Sequence, residues 1–397
     1  MTSATKPIRR ARQRLTYARA RLYLGMTAVG SAALGATWLL VALAPSRWIA
    51  DSPTQPLLHT LATMAIVFAS VLVAGVLPDM IGGALLVRHR TMVGVWFARW
   101  LRGAVVQFAV WMIAATAFVV AARANTTQTM WAVVGVFVLL QLLLAQFRGA
   151  CARLVASLPV QTTPERIRTA AALAGFDAKS VVVVETPDEG FVGGFTTVAG
   201  GPLLLPQRWA QLPTDVLHAA CVRRRLLQQS GAHWRGALGA IVWNTVGMIA
   251  VLYLTGANPA SVYGLLVLMA GMTLFAFVSV LVLPSVSRAA VFAADRAAAQ
   301  VVGAAAMRTT IEVLDRWQDD EPVRSALVET IFHPVPSRSA RFAKLAVVQS
   351  GEPLRCWHAH HIARHALWTN WAAMTPLSRL VHCNIGRSAL WVMLPGD

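Results

Sequence analysis

Six long apolar runs constrain this sequence more than any of its other features. A helix needs roughly 20 apolar residues to cross a bilayer, and the six runs cover residues 22–43, 57–77, 103–122, 129–145, 236–255 and 260–283. The chain of 397 residues is 56% hydrophobic and only 13% charged, whereas soluble proteins carry about 25% charged residues. We therefore expect an α-helical polytopic membrane protein with six spans.

The first run has two interpretations, a cleavable signal peptide and a retained helix. It lacks the short apolar stretch ending in a small-residue cleavage site that a signal peptide requires, so we expect a retained span. The last two runs are joined by Gly256-Ala257-Asn258-Pro259. Glycine and proline break helices, so these two runs indicate a helical hairpin.

The net charge of +18 is concentrated in alternate loops between the predicted spans. These loops carry Lys6, Arg9, Arg10, Arg12, Arg14, Arg19, Arg21, Arg88, Arg90, Arg99, Arg102, Arg148 and Arg153. Because cytoplasmic loops are enriched in Lys and Arg, we expect an inner-membrane protein with both termini in the cytoplasm. Anionic lipid headgroups attract such basic segments, so the sequence predicts the lipid bilayer as a partner and no nucleic acid.

Four cysteines are present, at Cys151, Cys221, Cys356 and Cys383. All of them fall in segments that the charge pattern assigns to the cytoplasm, and none belongs to a CxxC pair. Disulfides are rare in a reducing compartment. We therefore expect free thiols.

The chain divides into three regions. Residues 1–150 form a four-span region with a basic N-terminal tail, and residues 346–397 form a His- and Trp-rich C-terminal segment. Between them, residues 151–345 form a soluble domain that the hairpin at 236–284 interrupts.

Local signals place secondary structure in the two soluble parts. Thr163-Pro164-Glu165 is typical of a helix start, and β-branched residues at 180–185 predict a strand. The other predictions are turns around an edge strand at 190–201, a strand at 201–206, and helices from Asp215 to about Gln229, at 287–302 and at 368–380.

Five short motifs follow one another between residues 155 and 345. They are Ala174-Gly175 before the strand at 181–184, the Gly-rich stretch 189–194, Leu212-Pro213-Thr214-Asp215-Val216-Leu217, Ser287-Arg288 with Ala294-Asp295-Arg296-Ala297-Ala298, and His333-Pro334 with Arg338 and Arg341. The predicted hairpin separates the third motif from the fourth. In this order the sequence resembles the M48 family of membrane zinc metallopeptidases, the HtpX and Ste24 type.

The resemblance implies an α+β M48 peptidase-like cytoplasmic domain with a zinc site on a helical H-E-x-x-H motif. Two histidines one turn apart bind zinc, the glutamate activates the metal-bound water, and a distant glutamate completes the site. Counted forward from Asp215, these positions hold Arg223, Arg224, Leu227 and, for the distant glutamate, Val291. Arginine has no acceptor lone pair, and the sequence contains no H-E-x-x-H elsewhere. We therefore expect no catalytic residue, no zinc and no other cofactor.

The implied function is a catalytically inactive M48-like membrane pseudopeptidase that binds or regulates membrane-protein or peptide clients. The alternative is an active membrane metalloendopeptidase with zinc in a non-standard site. Its candidate ligands are His358, His361 and His365, which are spaced as on one helix face. The competing interpretation of these histidines is a basic helix on the membrane surface, flanked by Trp357, Trp368 and Trp371.

Other residues also have two interpretations. His218 and Cys221, with His233 beyond them, form either a metal site or a helix face with a partly buried His and a buried Cys. The run 223–225 is either an arginine patch for an anionic lipid or partner or a solvated helix face near the membrane. Asn244 lies within a span and is expected to bond between helices. A small transporter or lipid-handling protein, the third hypothesis, predicts clustered polar residues within the spans.

Overall fold

The computed structural model describes residues 16–43, 55–87, 92–156, 158–186, 188, 190–198, 200–318, 321, 323–346, 359–378, 385 and 393–394. The helices in these ranges are Tyr17–Leu43 (α1), Leu57–Met80 (α2), Val93–Ala124 (α3), Thr129–Ala156 (α4), Glu165–Leu173 (α5), Thr214–Gln229 (α6), Ala232–Thr255 (α7), Val262–Val302 (α8), Ala304–Trp317 (α9), Ala326–Phe332 (α10), Arg338–Leu345 (α11) and Ile362–Thr369 (α12). Six of the described helices, α1 to α4, α7 and α8, are long and apolar enough to cross a membrane. The prediction of a polytopic helical membrane protein is confirmed.

Two of the candidate spans extend more than ten residues beyond their predicted C-terminal ends. Helix α4 continues past residue 145 to Ala156, and α8 runs through Pro284 to Val302. The helix predicted at 287–302 is therefore the continuation of the sixth span. Proline removes a backbone donor and usually breaks a helix, but here α8 packs along its length against α1, α6, α10 and α12, and this packing maintains the helix.

A small sheet follows α4 and precedes α7. Its strands are Val160–Gln161 (β1), Val181–Val184 (β2), Gly194–Phe195 (β3) and Leu203–Pro206 (β4). The order is β1-β2-β4-β3, with β2 and β4 parallel and the two outer pairs antiparallel. The predicted strand at 180–185 and the predicted edge strand in the Gly-rich segment are both confirmed.

The sheet and helices α5 and α6 enclose a separate hydrophobic core. Fully buried members of this core come from each element, namely Ile167 on α5, Val183 on β2, Leu205 on β4 and Leu217 on α6. Helix α6 also packs against α8 and α9. It therefore lies between the sheet and the long helix α8, and this position determines the neighbours of the arginines on α6.

The segment 359–378 enters the interior of the membrane region. The His360 amide donates to the Ala232 carbonyl at the start of α7 (3.1 Å), and Asn244 Nδ2 donates to the Ala366 carbonyl (2.9 Å) and to Thr369 Oγ1 (2.9 Å). Asn244 lies twelve residues beyond Ala232, about 18 Å along a helix. The segment thus penetrates to about the middle of α7, and Asn244 bonds between two elements as expected.

The chain then turns back towards the end of the membrane region that carries the sheet. Met374 adopts the left-handed conformation at φ 62°, which non-glycine residues rarely adopt. Farther along, Ile385 lies against Gly82, just beyond α2, and Leu394 lies against Gly194 of β3. We call residues 359–378 the re-entrant segment. Non-helical backbone, such as that at the ends of this segment, is tolerated at membrane depth where protein surrounds it.

The re-entrant segment differs from the surface helix considered from sequence. Its helix covers Ile362–Thr369 rather than residues 368–380, of which 379 and 380 lie outside the described residues. Trp368 and Trp371 are each only 1% exposed, and the Trp368 indole donates to the Leu144 carbonyl of α4 (2.9 Å). The interpretation of a basic helix lying on lipid headgroups is therefore wrong for this segment.

Candidate functional site

A buried ion network joins α6, α8 and α11. Asp295 on α8 is 1% exposed. Arg223 Nε of α6 donates to Asp295 Oδ1 (2.6 Å), and Arg341 of α11 donates from Nε to Oδ2 (2.6 Å) and from Nη2 to Oδ1 (2.8 Å). One carboxylate thus accepts three charge-assisted hydrogen bonds from two guanidinium groups. The structure thus brings together the helix that begins in the third motif, Asp295 of the fourth motif and Arg341 of the fifth.

Arg224 points away from this network, towards the sheet. Its Nη2 donates to the Val192 carbonyl (2.7 Å), just before β3. Its guanidinium carbon lies 4.4 Å from the ring centroid of Trp209, a cation–π distance. The residue at the position of the catalytic glutamate is therefore a buried cation that supports the edge of the sheet.

The other two replaced positions are apolar and buried. Leu227 packs with Ala232 and Ala294 between α6, α7 and α8. Val291 of α8 is 0% exposed. Neither side chain has a lone pair, so the four positions that the resemblance assigns to zinc and its base, namely Arg223, Arg224, Leu227 and Val291, hold two cations and two hydrocarbons.

The arginine run on α6 is buried rather than solvated. Arg223 is 4% exposed and Arg224 is 5% exposed, and Arg225 is half-buried with its guanidinium over Phe176. The expectation of a solvated helix face is therefore wrong for the first two residues, because Asp295 and the Val192 carbonyl supply partners from distant parts of the chain.

Cys221 lies in the core beneath the sheet and not in a metal site. It is 0% exposed and belongs to the same hydrophobic cluster as Trp209 and Leu217. Burial raises the pKa of the Cys221 thiol to about 11, an effect partly opposed by the positive charge of Arg224. His218 is half-buried on the same helix, whereas His233 contacts other histidines. Cys151 is also a free thiol, whereas Cys356 and Cys383 lie outside the described residues.

Four histidines gather where the re-entrant segment meets the start of α7. The ring centroids of His233 and His360 are 5.2 Å apart, those of His233 and His361 are 6.1 Å apart, and those of His360 and His361 are 3.9 Å apart. His365 interacts electrostatically with His233, and so does Arg148 of α4. We call Arg148, His233, His360, His361 and His365 the basic cluster.

Two of the three histidines predicted as alternative metal ligands belong to this cluster. They are His361 and His365, and the third, His358, lies outside the described residues. Within the described ranges, no group of three or more His, Cys, Asp or Glu side chains is arranged to hold a metal ion.

Sequence reasoning missed the contribution of Arg148 and of His233 to this cluster. The charge pattern predicts Arg148 in a cytoplasmic loop, whereas it is 1% exposed on α4 and its Nη2 donates to the Thr197 carbonyl (2.6 Å) beside β3. The sequence offers one signal for a buried Arg148, namely its position soon after an apolar run, with no helix-breaking residue between them. His233 follows the end of α6 closely, and only the tertiary structure brings the re-entrant segment to it.

Comparison with protein-family models gives no match to this chain. Comparison with curated protein sequences likewise gives no match.

Proposed function

We propose that this chain is an M48-like membrane pseudopeptidase, which holds a peptide or membrane-protein client without cleaving it. The observation that supports this proposal most strongly is the buried ion network of Arg223, Asp295 and Arg341. It replaces a metal centre with an ion network at the junction of α6, α8 and α11. On this proposal, the protein keeps the fold of the M48-like domain and uses it to bind a client.

The charge of the network opposes a zinc ion. Among the described residues, the network holds two guanidinium groups and one carboxylate, and Arg224 adds a further cation on the same helix. At about 4 Å and an effective dielectric constant of about 20, a dication and a guanidinium repel each other by on the order of 8 kcal/mol. Histidine ligands would have to overcome this repulsion. On α6 the position of the second histidine is occupied by Leu227, which cannot bind a metal ion.

The client surface that we propose is the outer edge of the sheet at β3. This strand pairs only with β4 among the described strands, so an extended peptide can add to it through main-chain hydrogen bonds. Leu394 lies over one face of this strand, because its carbonyl oxygen is 2.9 Å from the position of a Cβ atom at Gly194, and both residues of β3 are buried. A client peptide would therefore have to displace neighbouring residues to pair with the strand.

We place the protein in a cell inner membrane with the sheet and both termini on the cytoplasmic side. The distribution of Lys and Arg between alternate loops supports this orientation. The client would then be a cytoplasmic peptide or the cytoplasmic part of another membrane protein.

Zinc stoichiometry tests the loss of the metal site. Protein purified in mild detergent without chelators is expected to contain well below one zinc per chain. A variant with Arg223→His, Arg224→Glu, Leu227→His and Val291→Glu restores the family's ligand set and is expected to bind about one zinc. Its matched control carries the same changes but keeps Leu227, and therefore lacks the second histidine.

Two outcomes would contradict different parts of the proposal. About one zinc per chain in the unaltered protein would overturn the pseudopeptidase and favour the alternative of an active metalloendopeptidase. A folded four-residue variant that binds no more zinc than its control would contradict the M48-like arrangement of α6 and α8.

Photo-crosslinking in native membranes tests the client surface. A photoreactive residue at Val198, half-buried beyond β3, is expected to give adducts that the same residue at Val160 does not. Val160 is 61% exposed on β1, the opposite edge of the sheet, and is thus a matched control. The same adducts from both positions would refute binding at β3.

A further inference from the structure

The basic cluster is deeply buried where α4, α7 and the re-entrant segment meet. Arg148 is 1% exposed, His233 is 5% exposed and His365 is 2% exposed. Burial of polar side chains is costly unless hydrogen bonds replace those made to water. The partners of these three side chains therefore decide what the cluster can do.

Four nitrogen atoms of these side chains have no hydrogen-bond partner in the described part of the chain. They are Arg148 Nε, Arg148 Nη1, His233 Nδ1 and His365 Nε2. Arg148 uses only Nη2, which donates to the Thr197 carbonyl. Since a guanidinium has five N–H donors and no acceptor, a ligand that satisfies Arg148 must accept hydrogen bonds.

Among the described residues, the groups that act electrostatically on His233 and His365 are all basic side chains. Arg148, His360, His361 and His365 act electrostatically on His233, and Arg364 adds its charge near His365. None of these described neighbours is a carboxylate. A buried ion without its counter-charge destabilises a protein, so a bound anion would remove that cost.

We propose that Arg148, His233 and His365 form a buried binding site for a phosphate-type oxyanion between α4, α7 and the re-entrant segment. Arginine binds phosphate through charge-assisted hydrogen bonds, and the oxygen atoms of one oxyanion can accept from several donors at once. A neutral imidazole contributes one further N–H donor. The anion supplies the missing negative charge.

A metal ion fits this site less well. Arg148 remains protonated and would repel a dication, and the four imidazoles with their neighbours form no group suited to a metal ion among the described residues. The ring centroids of His360 and His361 are 3.9 Å apart. Two imidazoles bound to one tetrahedral zinc at about 2.1 Å would have centroids roughly 5 Å apart.

Binding in this position links the re-entrant segment to two spans. The backbone around the site is already close-packed, because a Cβ atom at Gly236 of α7 would lie 2.0 Å from the His360 carbonyl oxygen. The His360 amide is in turn bonded to the Ala232 carbonyl. An anion that also contacts Arg148 therefore stabilises the entry of the re-entrant segment between α4 and α7.

Thermal unfolding of the full chain in a maltoside detergent, which contains no phosphate, tests the site. Inorganic phosphate is added at constant ionic strength, and the melting temperature is measured for the unaltered protein, Arg148→Gln and Arg153→Gln. Arg153 is exposed on the same helix and is the matched control. Phosphate is expected to raise the melting temperature of the unaltered protein and of the control. The affinity of Arg148→Gln for phosphate is expected to be weaker by about tenfold or more.

A second pair of ligands identifies the source of the oxyanion. Dioctanoyl phosphatidic acid carries a phosphate on a lipid, and dioctanoylglycerol is the same lipid without it. Stabilisation by inorganic phosphate identifies a free anion, whereas stabilisation by phosphatidic acid alone identifies a lipid headgroup. Both results support the site if Arg148→Gln removes them.

The inference is overturned if neither phosphate nor phosphatidic acid stabilises the unaltered protein more than Arg148→Gln. If Arg148→Gln does not fold, His365→Phe replaces it, because phenylalanine keeps a ring but removes the Nε2 donor. Phosphate affinity that is unchanged in folded His365→Phe and in Arg148→Lys would likewise overturn it. The failure of this site leaves the proposed pseudopeptidase untouched, since the two rest on different residues.

Discussion

Replacing Asp295 by asparagine tests whether the ion network holds α11 against α8. Asp295 accepts three charge-assisted hydrogen bonds, one from Arg223 and two from Arg341. Asp295→Asn removes the carboxylate that both arginines share and leaves two buried guanidinium groups facing a neutral amide. Removing one partner of a buried ion pair costs about 3–5 kcal/mol, and we expect a loss of this size.

The two arginines should differ in their effect. Arg223→Met leaves Asp295 paired through two hydrogen bonds with Arg341, a neutral pair, so we expect a cost of about 1 kcal/mol. Arg341→Met leaves only the single bond from Arg223, and the expected cost is about 2–3 kcal/mol. The expected order of destabilisation is thus Asp295→Asn, then Arg341→Met, then Arg223→Met.

Hydrogen–deuterium exchange of α11 measures this order without requiring the whole membrane protein to unfold. A loss of about 3–5 kcal/mol corresponds to an exchange rate roughly a hundred to several thousand times faster. Arg316→Met is the control, because its ion pair with Glu312 on α9 is exposed and exposed pairs contribute little. Exchange of α11 that is as fast in Arg223→Met as in Asp295→Asn would refute the reasoning.

Three further predictions concern single residues. Because the pKa of Cys221 is raised to about 11, about one thiol in ten thousand is ionised at pH 7; mass spectrometry should find it unlabelled by maleimide in folded protein and labelled in denaturant. Gly236→Ala places a methyl group against the His360 carbonyl, so proteolysis of residues 359–378 should accelerate; Gly135→Ala, where the space is open, should not change it. Asn244→Ala removes two hydrogen bonds to the re-entrant segment and should speed amide exchange there by one to two orders of magnitude, or about 1–3 kcal/mol; unchanged exchange would contradict the role of this residue.

The spans were predictable because length and apolar composition alone decide whether a helix can cross a bilayer. The sheet was also predictable from local signals. The run of valines in β2 favours a strand, and the glycines around β3 favour turns beside it. The end of the sixth span was not predictable. Pro284 is a breaking signal, and only contacts of α8 with distant helices maintain the helix through it.

The sequence predicts which residues occupy the four motif positions of the candidate site. It does not predict which residues they contact. Arg223, Arg224, Leu227 and Val291 follow from counting along the resembling motifs. That Arg223 is buried depends on Asp295, which is 72 positions away in the sequence, and no local pattern contains this information. A run of arginines is solvated in most contexts, and long-range partners reversed that expectation here.

A short connection between α6 and α7 links the ion network to the basic cluster. Helix α6 ends at Gln229 and α7 begins at Ala232, so Arg223 of the ion network and His233 of the basic cluster lie ten residues apart, on two helices joined through Gly231 in the left-handed conformation (φ 67°). Leu227 packs against both Ala232 and Ala294, so it connects α6 with α7 and α8. A client that displaces α6 from the sheet edge would therefore also displace the start of α7, to which the re-entrant segment is bonded. If a client binds at the sheet as proposed, contiguous packing rather than a flexible linker connects that surface with the interior of the membrane region.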